Sequence, residues 1–526
     1  MTHIRLVYNS GYQWVKKEDV YVKGFIFTPD NQLLRAEQLA DYFSNISSFH
    51  VFQERLQQAN GLFSVVVKKG NILWAAVDTT RSFPLFYYHK QDSFFITDNP
   101  DTLKEYQIPL VVDEDNAILF AYSGFVNGAK TLLKEVYQII AGQSLCYEND
   151  CVTKEFHKEF LTETFSMKTR EELKAELKQV LDHVGKRMVK VLNNRPVAIP
   201  LSGGFDSRLI AYLLRKNNYP NVICYTFGKN NNPEQNNAQR TTHNLGYPFY
   251  FINYENYFNQ SFTQDPIFKE YVNFATNYCN RFAEQDYFAI RELMKNDTLP
   301  ENTVFIPGDS GAIAGHLLDE KMEKSEFSFA EQAFNEVFSL VYPRQKEVEI
   351  IRKEIHFLDK QSDNYPPYLI YENWRFQGTT ALAFNSSKIW AFWGFEHLLP
   401  LWDRDLFDFF VHVPFQHKYD KNLYKETLID LFNEFNIYFP GEELYPSTDL
   451  IKKVSFRSKL KSKFPFLKKF VHIWKNDHIG NQYFAKGFLQ ELKASKERRT
   501  LLSFNGISSA WYLMQVRKTV QNEKNN

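Results

Sequence analysis

Six residues, Ser202-Gly203-Gly204-Phe205-Asp206-Ser207, constrain this chain more than any other stretch, because of what flanks them. An apolar run, Val197-Ala198-Ile199-Pro200-Leu201, feeds the loop, and a helical pattern from Arg208 to Leu214 leaves it. A strand, a small-residue loop and a helix start make an anion cradle. Adjacent glycines let backbone N–H groups approach a phosphate, the helix N-terminus adds partial positive charge, and Ser202 and Ser207 offer hydroxyl donors. Asp206 would repel bare phosphate, so it fits a cradle in which a divalent cation lies between carboxylate and phosphate oxygens, as Mg²⁺ does. The plainer alternative is a tight strand-to-helix turn in which Asp206 or Ser207 only caps the helix.

Downstream of the loop the same pattern continues. Asn221 to Phe227 is a second β-rich run closed by Gly228, a polar helical stretch from Glu234 to Leu245 ends at Gly246, and Pro248 to Ile252 begins a third strand. This alternation implies a parallel sheet whose ligand lies at the carboxyl ends of its strands. Upstream, Arg170 to Leu192 carries Leu173, Leu177, Leu181, Val184, Met188 and Val191 at helical spacing, which sets a domain boundary near residue 160. Before it, Gly61 to Val67, a Gly70-Asn71 turn and Ile72 to Asp78 read as a hairpin. Residues 266 to 302 and 326 to 398 carry helical patterns rich in Phe, Tyr and Trp, suited to core packing or to lining a sugar-sized cleft.

These residues resemble a family. The Ser-Gly-Gly-x-Asp-Ser string after a strand is similar to the signature of PP-loop ATP pyrophosphatases, and the continuation Tyr225-Thr226-Phe227-Gly228, Glu234, Ala238 and Leu245-Gly246 resembles asparagine synthetases. Gly308-Asp309-Ser310-Gly311 stands where that family has a Gly-Glu-Gly-x-Asp-Glu loop. Leu399-Pro400-Leu401-Trp402-Asp403 resembles its Pro-Phe-Leu-Asp segment, and Asp78 through Tyr88 resembles its Asp-x-x-Arg-x-Pro-Leu-Tyr-Tyr. The resemblance covers the chain to roughly residue 455. It implies an α/β protein: an Ntn-amidotransferase-like β sandwich with flanking helices over 1–160, then a PP-loop parallel-sheet synthetase domain with helical extensions and a basic C-terminal arm over 165–526.

Two departures bear on chemistry. The family's glutaminase attacks with an N-terminal cysteine, whereas this chain reads Met1-Thr2-His3 and its first cysteine is Cys146. The N-terminal domain is therefore read as lacking its thiolate nucleophile; Thr2 as a hydroxyl nucleophile remains the alternative. In the second departure, Asp309 stands where the family has Glu, and Ala312 and Ile313 replace acids, so a metal would rest on Asp206, phosphate oxygens and water. A catalytically reduced, nucleotide-binding protein is the alternative that this raises.

The resemblance implies ATP and Mg²⁺ as cofactors and cleavage between the α and β phosphates. A substrate carboxylate would become an acyl-adenylate, and ammonia or an amine donor would convert it to an amide, with a separate glutaminase as one source of nitrogen. Leu201, Ser202, Gly203, Gly204, Ser207 and Gly308 would hold the nucleotide's phosphates, Asp206 the metal, and Thr226, Phe227 and Gly228 the adenine. Asp206, Asp309, Lys452 and Lys453 are the catalytic candidates; Arg208 and Lys425 are further cations for charge building on the bridging oxygen. Asp403 reads first as a helix N-cap. A genuine asparagine synthetase is the competing reading, and a role in surface polysaccharide modification is a further lead.

Composition excludes several classes. With 62 basic and 62 acidic residues there is no global pull toward nucleic acid. Four cysteines in 526 residues give no disulfide framework and read as packing residues. No apolar run reaches membrane-spanning length and the N-terminus lacks a signal-peptide pattern, so the expectation is a cytoplasmic chain. Between 452 and 469 eight Lys and Arg alternate with aromatic and aliphatic residues, a solvated basic helix or a peripheral contact to an anionic membrane.

Overall fold

The computed structural model describes residues 2–91, 93–256, 261–309, 313–324, 326–360, 362–386, 388–440, 477–493, 495, 497 and 503–525. Alternating side chains sort the N-terminal strands into two stacked sheets. The larger runs β11-β10-β6-β5-β3-β2, with β4 on β3: β2 (Trp14–Lys17), β3 (Val20–Phe27), β4 (Leu33–Arg35), β5 (Asn60–Lys69), β6 (Ile72–Val77), β10 (Gln143–Glu148) and β11 (Cys151–Phe156). The smaller runs β1-β8-β7-β9: β1 (Thr2–Arg5), β7 (Phe86–Lys90), β8 (Ser93–Thr97) and β9 (Val136–Gln138).

Between the sheets lie Val66, Leu73, Ala75, Val77, Tyr87, Phe94 and Ile96. Their neighbours Val65, Val67, Trp74 and Ala76 point the other way, against helices α1 (Ala36–Tyr42) and α2 (Phe49–Gln58). This period-two split is what a sheet buried on both faces demands. The β5–β6 hairpin pairs Lys69 with Ile72 around Gly70, whose φ of +59° suits the predicted turn. On the outer face of the smaller sheet, Tyr88 and Phe95 share a core with Leu119 and Phe120 of α3 (Glu114–Ser123), so helix, sheet, sheet and helix stack in four layers.

α4 (Arg170–Leu192) opens the second half. Thr169 and Glu172 form a reciprocal capping box at its start, and Asn193 ends it in the left-handed region. Next comes a five-stranded sheet in the order β14-β13-β12-β15-β16, from β12 (Val197–Pro200), β13 (Val222–Gly228), β14 (Phe249–Asn253), β15 (Val304–Phe305) and β16 (Glu396–His397). Every pairing in it is parallel. α5 (Phe205–Lys216) and α6 (Pro233–Leu245) make the crossovers, and Gly246 closes α6 at φ +71°, the C-cap its sequence signalled.

Strand residues again divide by parity. Val197, Ile199, Val222, Cys224 and Val304 pack with α4, α5, α13 (Arg404–His412) and α15 (Asn422–Asn433). Ala198, Tyr225 and Phe305 face a second core with α7 (Pro266–Thr276), α8 (Gln285–Lys295) and α12 (Lys388–Phe392). That core also takes in α16 (Asn481–Leu492) and α17 (Phe504–Asn525). The aromatics flagged in the sequence do mainly this: Trp374, Trp390 and Phe376 are at most 5 % exposed. Of the four cysteines three are buried as predicted, while Cys151 is exposed, because it opens β11 at the sheet's edge. Among the described residues no helix is long and apolar enough to cross a membrane.

Candidate active site

The winding of the five-stranded sheet places the site. From β12 the chain steps to β13 and β14 on one side, then returns to β15 and β16 on the other. Crevices open where the strand order reverses, here at the carboxyl ends of β12 and β15. The loop 201–204 leaves β12 at that point, and residues 306–309 leave β15 beside it. The two loops touch closely: a Cβ on Gly308 would lie 2.1 Å from the Ser207 nitrogen, so only glycine permits this approach.

The glycine loop is braced from behind. The Ser207 hydroxyl stands 3.0 Å from the Ser202 hydroxyl and accepts from the Ser202 N–H at 3.1 Å, while Gly204 N–H donates to Ser202 Oγ at 3.2 Å. Arg208 is 4 % exposed and donates to the carbonyls of Gly203 at 2.5 Å and Ile437 at 2.9 Å. Its guanidinium therefore fixes the loop's backbone from beneath, which corrects the expectation that it faces a bridging oxygen. The helix-cap alternative fails too. Gly204 is the N-cap of α5 and makes no side-chain cap, and Asp206 and Ser207 lie inside the first turn. The first amides of α5 thus point out of the helix without a side-chain acceptor of the usual capping kind, beside the positive end of its dipole.

Asp206 projects from this turn. Its Oδ2 meets Lys421 Nζ at 3.1 Å, while its Oδ1 is buried with no hydrogen-bond partner. An orphaned carboxylate oxygen beside amide donors fits a divalent cation shared with phosphate oxygens. Among the described residues no group of three or more His, Cys, Asp and Glu is gathered to hold a metal. Lys421 precedes α15 in a left-handed kink with Asp420 (φ +58° and +53°). The sequence pointed instead to Lys425, one turn on, which pairs with Asp420 at 3.6 Å. His316 faces the same pair; burial and then the Lys421 charge hold its imidazole below its ordinary range.

At the end of β13, Thr226 is buried, Phe227 stacks on Tyr254 at 5.1 Å between centroids, and Gly228 takes φ +132°. A Cβ on Gly228 would lie 2.8 Å from the His478 carbonyl, and Lys229 N–H donates to that carbonyl at 2.8 Å. The distant C-terminal segment therefore closes over the strand end, which no local sequence signal announced. Leu201 N–H bonds the Tyr225 carbonyl at 2.8 Å and keeps the two strand ends level.

Asp309 comes next after Gly308 in the same crevice. Its carbonyl accepts from the Trp402 indole at 2.5 Å, which ties the 308–309 loop to the Leu399–Asp403 segment. Asp286, in the first turn of α8, has its carboxyl pushed up to about 7, mainly by burial and next by the Asp309 charge. Sequence reading missed Asp286, because an acid in the first turn of a helix is commonplace. Asp403 is the N-cap of α13, as predicted, accepting from Asp405 N–H at 3.0 Å. It also clasps Arg187 at 2.6 and 2.7 Å and takes a hydrogen bond from Asn60 of the sandwich at 3.2 Å. Ile313 is buried in the core. Lys452, Lys453, Ser310, Gly311 and Ala312 lie outside the described residues.

The crevice unites strand-end glycines, a helix start with no side-chain cap and an orphaned carboxylate oxygen, a set suited to polyphosphate with a divalent cation. Residues 176–442, just over half the chain, match the family described as asparagine synthase. A search of curated proteins finds no match. Similar solved structures include the NH3-dependent NAD synthetase from Campylobacter jejuni, 14% identical, covering 40% of this chain and 96% of that one at a TM-score of 0.22. The NMN synthetase from Francisella tularensis is 14% identical over 53% of this chain and 98% of that one, TM-score 0.19. A glutamine phosphoribosylpyrophosphate amidotransferase from B. subtilis is 8% identical over 67% and 76%, TM-score 0.18. With a family match over half its length, the chain belongs to the asparagine synthase family of ATP-dependent amide-forming ligases.

Proposed function

We propose that this protein activates a small-molecule carboxylate with ATP, releasing pyrophosphate, and passes the acyl group to ammonia or an amine, releasing AMP. The observation that carries the reading is the loop at the switch point: paired glycines, uncapped α5 amides and Asp206 with its unpartnered Oδ1. In this reading the Ser202–Gly204 backbone, Ser207 and the first amides of α5 hold the β and γ phosphates, and Leu201 and Gly308 keep the strand ends close to them. Thr226, Phe227 and Gly228 bound the adenine pocket. Asp206 holds Mg²⁺, which when bound screens the phosphates' charge. Lys421, in hydrogen-bond contact with Asp206, supplies positive charge to the departing pyrophosphate. Asp309 accepts a proton from the attacking nitrogen, and Lys452 and Lys453 are further cations for the phosphates.

The same proposal gives the chain two working units: 1–160, an amidotransferase-type sandwich without a nucleophile, and 165–526, the synthetase. In this reading nitrogen arrives as free ammonia, as an amine or from a separate glutaminase. Carboxylate-dependent exchange of labelled pyrophosphate into ATP tests the reading, run across aspartate, uronic acids and nucleotide-linked uronic acids. Exchange with one of these, lost in Asp206→Ala, supports it; ADP as product, or ATP binding without exchange for every carboxylate, contradicts it. Asparagine formed from aspartate and ammonia would identify the carboxylate as aspartate.

A further inference from the structure

A second pocket lies between the sandwich and the synthetase sheet, away from the glycine loop. A cavity of about 40 Å³ is bounded there by Lys23 of β3, Asp98 after β8, Asn277 after α7, Lys388 of α12 and His397 of β16, with aromatic walls from Trp14, Phe83 and Phe274. Its polar groups are deeply buried: Lys23 is 6 % exposed, Lys388 7 %, Asp98 4 % and His397 3 %. Asp98 is already engaged, accepting from Val7 N–H at 2.8 Å, Tyr8 N–H at 3.0 Å and the Trp14 indole at 2.8 Å. Lys23 donates one good hydrogen bond, to the Tyr8 carbonyl at 2.7 Å. Among the described residues Lys388 reaches the carbonyls of Phe274 and Ala275, at 3.4 and 3.3 Å, and lies over the Phe274 ring. Both ring nitrogens of His397 are buried without a hydrogen-bond partner.

Two ammonium groups thus share one carboxylate that already accepts three N–H donors, and an imidazole stands ready to donate. Unpaired charge on side chains so deeply buried is costly, and is relieved by a counter-ion or by loss of a proton. We infer that this cavity binds a small monoanion, a halide or a short carboxylate such as formate, between Lys23, Lys388 and His397. With Lys23 and Lys388 protonated and Asp98 ionised the excess is one positive charge, which matches a monoanion; a dianion would leave one negative charge uncompensated. The alternative relief is visible too. Burial holds the Lys388 amine down to about 7, with Lys23 and Arg81 opposing its charge and Cys279 and Asp98 favouring it. Because strands of the sandwich and elements of the synthetase half supply the ligands together, an occupant joins the two.

Bromide soaked into crystals of the full chain tests this. The expected result is an anomalous peak inside the cavity, within contact of the Lys23 and Lys388 amines; no peak there while surface sites fill overturns the inference. In parallel, melting is followed at constant ionic strength with chloride, formate or sulfate. A saturable rise in Tm of about 2 °C with chloride or formate, absent with sulfate and lost in Lys388→Met, supports the site. Whichever of chloride and formate saturates first names the class of occupant, and either supports the inference. An equal rise with sulfate, or one undiminished in Lys388→Met, contradicts it.

Discussion

Lys421 and Asp206 meet at 3.1 Å across 215 positions of sequence, and that contact sets the charge of the crevice. If Lys421 holds pyrophosphate, replacing it removes a charge-assisted hydrogen bond, worth roughly 10- to 100-fold in kcat/KM for ATP. Lys421→Met is expected to show that loss in exchange assays and Lys421→Arg to restore part of it; a Met variant with unchanged kinetics would remove Lys421 from the site. Asp286 makes a prediction of sign. Its folded-state value, about 7, lies above the ordinary carboxyl value, so the folded chain keeps a proton that the unfolded chain has already released. The stability this group contributes is full at acid pH, below the unfolded value, and is lost as pH rises through about 7. Thermal melts of Asp286→Asn should therefore gain on wild type as pH climbs from 4 to 8, and a constant difference across that range would refute the assignment.

Elements differ in how much of them their own residues announce. The span of α4, the Gly70 turn and the Gly246 cap were readable because each depends on neighbours within a few positions: a period of 3.6 or a left-handed glycine. The anion loop was readable for the same reason. The side chains that meet it were not. Lys421 reaches Asp206 only because the Asp420–Lys421 kink aims it there, and Arg208 turns beneath the loop only because the Gly203 and Ile437 carbonyls are in reach. Two substitutions separate scaffold from site. Thr169→Ala breaks the capping box and should cost about 1 kcal/mol in denaturant melts with exchange kinetics unchanged. Gly308→Ala puts a methyl against the first turn of α5 and should lower exchange by about 100-fold through misplacement of the loop; activity near wild type would show that the two loops need not touch.

Across the whole molecule, the sandwich and the synthetase half share one packed interface, with Tyr12, Phe25, Phe27 and Phe83 in the same core as α4 and α13. Asp403 joins the halves through Arg187 and Asn60. Asp403→Ala leaves a buried guanidinium with Asp405 as its remaining carboxylate and should destabilise the protein by about 3 kcal/mol in denaturant melts; a loss within a few tenths would mean that the clasp is not structural. The N-terminal sandwich thus forms one wall of the core that carries the synthetase sheet. The measurement that tests the central claim most directly is a crystal structure of the full chain with Mg²⁺ and an ATP analogue that resists cleavage between the α and β phosphates. The account predicts the β and γ phosphates against the amides of residues 203 to 207, with the metal on Asp206 and Lys421 turned to the phosphates. Nucleotide bound elsewhere, with the Lys421–Asp206 contact intact and the glycine loop bare, would contradict it.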